Sequence, residues 1–488
     1  MVFASTQFLF WFMPLFFICY YGIGHYAGLK AKNFILFIFS LVFYSWGEPL
    51  YVFLMLYSTA LDYTCGRMID KGNDEGKNWL RHLFLGISIA GNLVPLSLFK
   101  YADMFISSAN SLFSVHIPLL NLTMPIGISF YTFQTLSYSI DVYRRKFKAQ
   151  KNIICFGAYV VMFPQLIAGP VLRYSYVVET INDRTETLDG IASGMRRFIT
   201  GLAKKILIAN TMAAVCDKLF TLGGARLGAL GAWTAIIAYT FQIYYDFSGY
   251  SDMAMGMGKM MGFDFPENFN YPYISRSVTE FWRRWHITMS TFFRDYVYFP
   301  LGGSRVKAPR WLFNIFVVWA LTGLWHGASW NFVLWGLYFA VILIFEKFVL
   351  SPLLERSRVL SRVWTMLAVI IGWVLFNATE ENGGIAWFGD FISAMFGRFA
   401  AQGTVLTPAV TELVYADVGT VFIVALAAAA VFSAPVVPFL KKKVDAMPDG
   451  HAKSAVLALA DVICIVLLVM CTSELAIGSY NPFIYFRF

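Results

Sequence analysis

The sequence predicts an all-α polytopic membrane protein. The chain has 488 residues, of which 58% are hydrophobic and only 14% are charged, whereas soluble domains carry about 25% charged residues. The apolar residues recur in long runs along nearly the whole chain, and no hydrophilic stretch is long enough to form a separate soluble domain. The opening residues 1–7 lack basic side chains and lead directly into an apolar run, so we expect a first span rather than a cleavable signal.

Taken in order along the chain, the apolar runs predict about 11 transmembrane helices together with some half-helices. Several runs reach the roughly 20 residues that a helix needs to cross a bilayer. Others are shorter or interrupted by Pro and Gly, and such backbone is tolerated at membrane depth only where protein or a water-filled cavity covers it. The runs occupy residues 7–29, 33–47, 50–64, 82–99, 119–142, 153–170, 196–220, 229–248, 311–325, 329–350, 363–377, 417–438 and 455–473.

The basic residues between the runs predict the side of the membrane on which each loop lies. Short cytoplasmic loops collect Lys and Arg, and the turns at 47–50 and 102–118 contain neither. The first three basic loops carry Lys30 and Lys32, then Arg67, Lys71, Lys77 and Arg81, then Arg144, Arg145, Lys146, Lys148 and Lys151. This alternation places the N-terminus outside, and a single span after the basic loop at 441–453 places the C-terminus outside as well. Anionic lipids of the inner leaflet account for the net charge of +9 without a nucleic-acid partner.

Residues 246–310 interrupt the pattern with a mixture of charged, aromatic, Pro and Gly residues. Ser277, followed by Glu280, predicts a capping box that opens a helix over 278–297. Such an amphipathic helix can lie in the membrane interface, but His286 lies between its arginines and its aromatic residues and could instead point into a cavity. The polar face would carry Arg283, Arg284, Arg294 and Asp295, and the apolar face Phe281, Trp282, Trp285, Met289 and Phe292.

A second histidine, His326, lies inside the apolar sequence LTGLWHGASW. An ionisable residue within a span is a functional candidate by default, and the alternative is a neutral core histidine hydrogen-bonded across helices. A metal site is poorly supported, because none of the six histidines pair at a metal-ligand spacing such as HxxxH. Burial disfavours the charged imidazolium, and a neutral ring is the form that a general base needs.

Six stretches, in order along the chain, form a distinctive set. They are MPIGISFYTFQTLSYSIDVYR (124–144), FPQLIAGPVLR (163–173), DFSGYSDMA (246–254), PENFNYPY (266–273), EFWRRWHITMSTFFRDYVYFPLGG (280–303) and LTGLWHG (321–327). This set resembles the membrane-bound O-acyltransferase family, specifically its alginate O-acetylation branch. The resemblance implies a ring of tilted helices around a central funnel and tunnel, completed by re-entrant and interfacial helices, in the bacterial cytoplasmic membrane.

The resemblance covers most of residues 1–350 and also implies how the chain is organised. We expect a single acyltransferase domain over 1–488. Its core at 1–350 would contain a signature region at 246–330, and residues 351–488 would add C-terminal helices and an outward-facing aromatic tail.

The resemblance also implies roles for both histidines. His326 matches the catalytic histidine and would deprotonate the accepting hydroxyl, while His286 would position the acyl carbonyl or stabilise the oxyanion. The glycines beside His326 would allow backbone or substrate to approach closely. Further candidates for the tunnel lining or for substrate contacts, with a structural role as the alternative, are Asp246, Tyr250, Asp252, Arg283, Arg284, Trp285, Arg294, Asp295 and Trp325.

The chain ends in the aromatic sequence FIYFRF. An interfacial anchor is one interpretation. The ending also resembles a C-terminal motif of bacterial wall and polysaccharide acylation systems, whose tyrosine is implied to accept the acyl group and hand it on. Tyr485 is therefore an acyl-relay candidate, and a phenol suits this role because its pKa of about 10 makes it a better leaving group than an aliphatic alcohol.

The function implied by the resemblance is transfer of an acyl group, most simply acetyl, to hydroxyls of an extracellular polysaccharide. The donor would be acetyl-CoA or an acyl-carrier thioester, without a bound cofactor, and a secreted or membrane-anchored hydrolase-like acyltransferase would be the partner. One alternative is D-alanyl transfer from a carrier protein to teichoic acid. Alternatives from other classes are a lipid or glycan transporter and a scaffold of a secretion complex, but neither an internal repeat nor a ladder of intramembrane carboxylates supports the transporter.

Overall fold

The computed structural model describes residues 1–167, 169–222, 224–397 and 419–484, and the regular elements within these ranges are helices. In chain order they are α1 (Met13–Ser45), α2 (Val52–Asp74), α3 (Asn78–Leu96), α4 (Ala102–Phe113), α5 (Ile128–Tyr143), α6 (Ile153–Val160), α7 (Leu188–Ala203), α8 (Asn210–Phe220), α9 (Gly224–Met260), α10 (Val278–Arg284), α11 (Ile287–Phe293), α12 (Ala308–His326), α13 (Trp330–Phe345), α14 (Ser351–Leu354), α15 (Arg358–Phe376), α16 (Gly384–Met395), α17 (Thr420–Phe432), α18 (Val436–Asp445) and α19 (His451–Ala476).

The all-α prediction is confirmed, but the described residues contain fewer candidate spans than the roughly 11 that the sequence predicted. Seven helices, counted with the turns that continue them, are long and apolar enough to cross a membrane, and the bent pair of α17 and α18 raises the number to eight if it forms one span. Two predicted spans, 7–29 and 33–47, correspond to the two arms of α1, which folds back on itself at Gly28, where φ is 76°. The arms pack against each other, with the ring centroids of Phe12 and Phe39 5.7 Å apart and those of Phe16 and Phe39 5.4 Å apart. Of the described residues in the run at 153–170, only Ile153–Val160 form a helix, and turns follow them.

The chain divides into two compact units. One consists of residues 1–198 and 250–266, and the other of residues 199–249 and 267–488. The helices α7 and α9 each contribute residues to both units. The predicted boundary of the acyltransferase core near residue 350 stays a prediction.

A buried carboxylate joins three helices of the first unit. Asp62 on α2 is completely buried and accepts hydrogen bonds from Asn92 on α3, at 2.6 Å, and from Ser139 on α5, at 2.7 Å. Ser88 on α3 donates a third bond at 2.5 Å. Because a buried charge is tolerated only when it is paired or hydrogen-bonded, these donors make Asp62 a polar link among the three helices.

In the second unit, α12 and α13 pack as a hairpin whose close approach requires glycine. A Cβ at Gly323 would collide with the carbonyl oxygen of Phe332, and one at Gly336 would collide with the carbonyl oxygen of Trp319. The absence of side chains at these positions lets the two backbones touch. The expected close approach beside His326 is therefore confirmed, and the approaching group is the neighbouring helix.

The segment 278–297 forms two short helices, so the prediction of one continuous helix was wrong. The serine half of the predicted capping box is confirmed, because the Ser277 hydroxyl accepts a hydrogen bond from the backbone N–H of Glu280 at 2.9 Å. The Glu280 carboxylate accepts instead from the backbone N–H of Arg276, at 2.8 Å. After α10, however, the chain turns at His286, which has φ 45° and ψ 53°. A non-glycine residue in this left-handed region is uncommon, and it separates α10 from α11 at the histidine.

Candidate active site

A loop asparagine holds His286 at the break between α10 and α11. The backbone N–H of Ile287 donates to the carbonyl oxygen of Asn268 at 2.9 Å. The side-chain oxygen of Asn268 accepts from the Thr288 hydroxyl at 2.9 Å and lies 3.0 Å from Nδ1 of His286. Asn268 thus fixes both the backbone turn and the imidazole ring, and both histidine and asparagine are fully buried.

The start of α10 is held by a buried carboxylate, Glu346. One of its oxygens accepts hydrogen bonds from the backbone N–H of Val278 at 2.7 Å and from the indole N–H of Trp364 at 3.2 Å. A negative charge at the first turn of a helix is stabilising, because the N–H groups there lack helical partners. Together with Asn268, Glu346 secures α10 at both ends.

The contacts of His286 define its protonation. The Asn268 oxygen is an acceptor, so Nδ1 of His286 carries the proton and Nε2 carries the lone pair. Nε2 is buried without a hydrogen-bond partner among the residues that the structure describes. Burial lowers the pKa of His286 well below its ordinary value, and His326 lowers it further. The ring is therefore neutral and presents an unused acceptor atom.

His326 ends α12 and is half-buried. Its ring packs edge-on against Trp335 and Phe376, with ring centroids 5.0 and 5.3 Å away. The Trp325 ring lies 5.0 Å from the His326 ring and 5.6 Å from the His286 ring. One indole thus contacts both histidines, and the structure brings three of the predicted site residues together.

The helix α9 adds an aromatic contact and an ion pair to this part of the second unit. Phe247 packs edge-on against His286 with the ring centroids 4.7 Å apart. The preceding residue, Asp246, lies 2.9 Å from Nζ of Lys205, and both side chains are at least 95% buried. A Cβ at Gly249 would lie 2.7 Å from a backbone carbonyl oxygen of the helix that leads to Lys205. This glycine therefore permits the close helix contact beside the ion pair.

The chain after α19 contacts the same ion pair. The backbone N–H of Ile484 donates to Oδ2 of Asp246 at 2.8 Å, and Nζ of Lys205 donates to the carbonyl oxygen of Pro482. Ile484 is completely buried. The predicted relay residue, Tyr485, follows directly and lies outside the described residues.

Three of the four charged residues predicted in the segment 278–297 form ion pairs with residues close in sequence. Arg284 contacts Glu280 at 2.9 Å, one helical turn away, and Arg294 contacts Asp295 at 2.8 Å. Arg283 is exposed. These pairs match the structural alternative for the three residues involved, and their roles as a tunnel lining stay predictions.

Two of the predicted residues belong to the first unit, although they lie only a few positions after Asp246. Tyr250 stacks on Phe3 with ring centroids 4.5 Å apart, and Asp252 pairs with Arg197 at 2.9 Å.

Trp285 is buried in the second unit, where its ring lies 5.1 Å from that of Phe269.

Two residues of this site, Asn268 and Lys205, were not predicted. Lys205 lies within the apolar run 196–220, and a charged residue in such a run is itself a functional signal. Asn268 lies within the stretch PENFNYPY, but its role could not be predicted there, because it depends on a bond to a histidine 18 residues later.

A family model and several known proteins are similar to this chain, and they point to the same family. The chain matches the membrane-bound O-acyltransferase family model over residues 142–379. It is 40% identical over 516 aligned positions to the probable alginate O-acetylase AlgI of Azotobacter vinelandii, with all of both chains covered. It is 31% identical to the peptidoglycan O-acetyltransferase of Helicobacter pylori, over 79% of this chain and 78% of that one.

A more distant relative is the teichoic acid D-alanyltransferase of Bacillus subtilis, at 28% identity over 60% of this chain and 78% of that one. The full-length similarity to an alginate O-acetylase and the match to the family model agree with the helices long enough to cross a membrane. The chain therefore belongs to the membrane-bound O-acyltransferase family, in the branch of the alginate O-acetylases, and is a multi-pass membrane enzyme.

Proposed function

We propose that this enzyme transfers an acetyl group from a cytosolic thioester, acetyl-CoA or an acyl-carrier thioester, to hydroxyls of an extracellular polysaccharide. The observation that carries the proposal is that two histidines, His286 and His326, contact one indole, and that Nε2 of His286 has no hydrogen-bond partner among the described residues. Relatives named as alginate and peptidoglycan O-acetylating enzymes support acetyl as the acyl group and a polysaccharide as the acceptor. The bacterial cytoplasmic membrane would separate the donor from the polymer.

His326 acts as the general base in this proposal. It removes the proton of the accepting hydroxyl as that oxygen attacks the thioester carbonyl carbon, so that a C–O bond forms, the C–S bond breaks and the thiol leaves with a proton. The half-buried ring suits this role, because Trp335 and Phe376 pack edge-on against it and hold it in place.

His286 orients a neighbouring N–H or O–H group of the substrates by accepting its hydrogen bond, because the single proton of the reacting hydroxyl goes to His326. With its proton on Nδ1, the ring can accept a hydrogen bond at Nε2 but cannot donate one there. An oxyanion needs donors, so the tautomer favours the orienting role over the oxyanion role that the family resemblance implied.

Tyr485 is the first acceptor in the proposed sequence. Its phenol oxygen takes the acetyl group from the thioester as an aryl ester. A secreted or membrane-anchored hydrolase-like acyltransferase then moves the acetyl group to the polysaccharide and restores the phenol. The supporting observation is that Asp246 binds the backbone of Ile484, the residue before Tyr485, while the next residue of α9, Phe247, contacts His286.

The test is intact-mass measurement and peptide mapping of the purified enzyme after incubation with acetyl-CoA. We expect one acetyl group on the tail peptide of the wild type and none in His326→Ala or Tyr485→Phe. The exposed His25 provides a matched control, because His25→Ala should be acetylated like the wild type. Acetylation that persists in Tyr485→Phe would exclude the relay, and acetylation that persists in His326→Ala would exclude the base.

The teichoic acid D-alanyltransferases among the relatives make D-alanyl transfer the second candidate. A D-alanyl-loaded carrier protein in the same assay distinguishes the two, because the mass added to the tail identifies the acyl group. We favour acetyl, since the 40% identity to an alginate O-acetylase extends over the full chain and the similarity to the D-alanyltransferase covers only 60% of it.

A further inference from the structure

The Lys205–Asp246 pair binds the main chain of the C-terminal tail with complementary polarity. The carboxylate accepts the N–H of Ile484 at 2.8 Å, and the ammonium donates to the carbonyl oxygen of Pro482. Bonds between a charged group and a backbone group are stronger than bonds between neutral groups. The residue between them, Phe483, adds a weaker contact, with its ring centroid 5.9 Å from Nζ of Lys205.

The charges of Lys205 and Asp246 would still neutralise each other if the tail left the site. Lys205 and Asp246 contact each other directly at 2.9 Å, so neither would be left as an isolated buried charge. An isolated buried charge is strongly destabilising, whereas a pair that keeps its partner is not. The bonds from this pair to the tail are therefore separable from the bond within the pair.

We propose that the Lys205–Asp246 pair is a reversible main-chain dock for residues 482–484, which seats the tail and releases it without disturbing the fold. The proposal deepens the proposed function, because a tail that carries an acyl group must be held for loading and then freed for delivery. Docking itself, however, requires no acyl transfer. Experiments can therefore contradict the dock without contradicting acyl transfer, and the reverse.

A peptide competition on the full-length enzyme in detergent, without any acyl donor, tests the dock. Carboxypeptidase trims the C-terminus, and intact mass reports how fast digestion passes Ile484. We expect an excess of a C-terminally amidated peptide of residues 479–488 to accelerate this trimming several-fold and saturably. The same peptide N-methylated at the position of Ile484 lacks the bonded N–H and should have no effect.

A substitution within the chain serves as a control. Ile484→Val keeps the N–H that Asp246 accepts and should trim like the wild type. Trimming that the unmodified peptide does not accelerate would overturn the dock, and equal competition by both peptides would overturn main-chain recognition. If the unmodified peptide accelerates trimming and the N-methylated peptide does not, but the wild type is not acetylated, only the proposed function is contradicted.

Discussion

At the scale of single residues, the chemistry of the site depends on which nitrogen of His286 carries its proton. The Asn268 oxygen accepts from Nδ1 and is itself fixed by the Thr288 hydroxyl. This short network converts a titratable ring into an acceptor of defined direction. The asparagine is thus a positioning residue, because it acts through the histidine.

Replacing Asn268 with alanine tests this role. We expect Asn268→Ala to lower the rate of acetyl transfer by about 10²–10⁴-fold, the range over which positioned acid–base groups contribute, because the ring loses its fixed tautomer. The matched control is Asn270→Ala, since Asn270 is exposed and bonds to Arg284 through its backbone. Asn268→Asp keeps an acceptor and should restore part of kcat. A wild-type rate in Asn268→Ala would show that the tautomer does not matter.

The burial of His286 also predicts how stability depends on pH. The pKa of this ring is lowered in the folded protein from the ordinary value of 6.5, so the unfolded chain binds the proton more readily. Stability from this group is fully present above pH 6.5 and is lost as the pH falls below it, by up to about 1.4 kcal/mol per pH unit. The Tm of the wild type should therefore fall more steeply than that of His286→Gln between about pH 6.5 and 5. Parallel curves for the two proteins would contradict this assignment.

At the scale of helices, the hairpin of α12 and α13 determines where His326 lies. We expect Gly323→Ala to destabilise the protein by about 1–3 kcal/mol, because the new methyl group meets a backbone carbonyl that cannot move aside. Acetyl transfer should also fall, since His326 ends the displaced helix. Thermal unfolding in detergent measures the first effect and the acetylation assay the second.

Gly389 on α16 provides the control for this substitution. A Cβ there meets nothing within 4 Å, so Gly389→Ala should be neutral or stabilising by up to about 1 kcal/mol. If both variants unfolded at the same temperature as the wild type, the close packing of α12 and α13 would not contribute as described.

The start of α10 was predictable from the sequence, whereas its end at His286 was not. The cap of α10 is a local signal, since Ser277 and Glu280 are three residues apart. The break at His286 depends on bonds to Asn268 in a distant loop, and no periodicity reports such a bond. The apolar runs likewise report burial without distinguishing lipid from protein, so the run at 153–170 predicted a span and forms only a short helix.

At the scale of the whole molecule, the sequence motifs were enough to identify the family. The contact between Asp246 and the C-terminal tail could be seen only in the three-dimensional structure. Asp246 was predicted as a site residue from its motif, but its two partners, Lys205 and the backbone of Ile484, are far away in the sequence. The two histidines were predicted together because both lie in recognisable stretches. The motif therefore identified Asp246 but gave no information about the residues from other parts of the chain that bind it.

The predicted orientation of the chain can be tested at the end of the molecule. The 26 residues of α19 form one candidate span whose apolar surface is almost entirely exposed within the protein, as expected for contact with lipid. The predicted basic loop before it proves to begin in α18, which carries Lys441, Lys442 and Lys443, and short basic connections between spans stay on the cytoplasmic side. A cysteine introduced as Ser479→Cys should therefore react with a membrane-impermeant maleimide in intact cells. One introduced as Asp449→Cys should react only after permeabilisation.

The wild type gives the background of the six native cysteines, and each variant is scored as the labelling above that background. Opposite accessibility of the two positions shows that α19 crosses the membrane once, because a single crossing places its ends on opposite sides. Labelling of Asp449→Cys alone in intact cells would reverse the predicted orientation. The tail dock would then face the cytosol, and delivery of an acyl group from Tyr485 to an extracellular polymer would lose its physical basis.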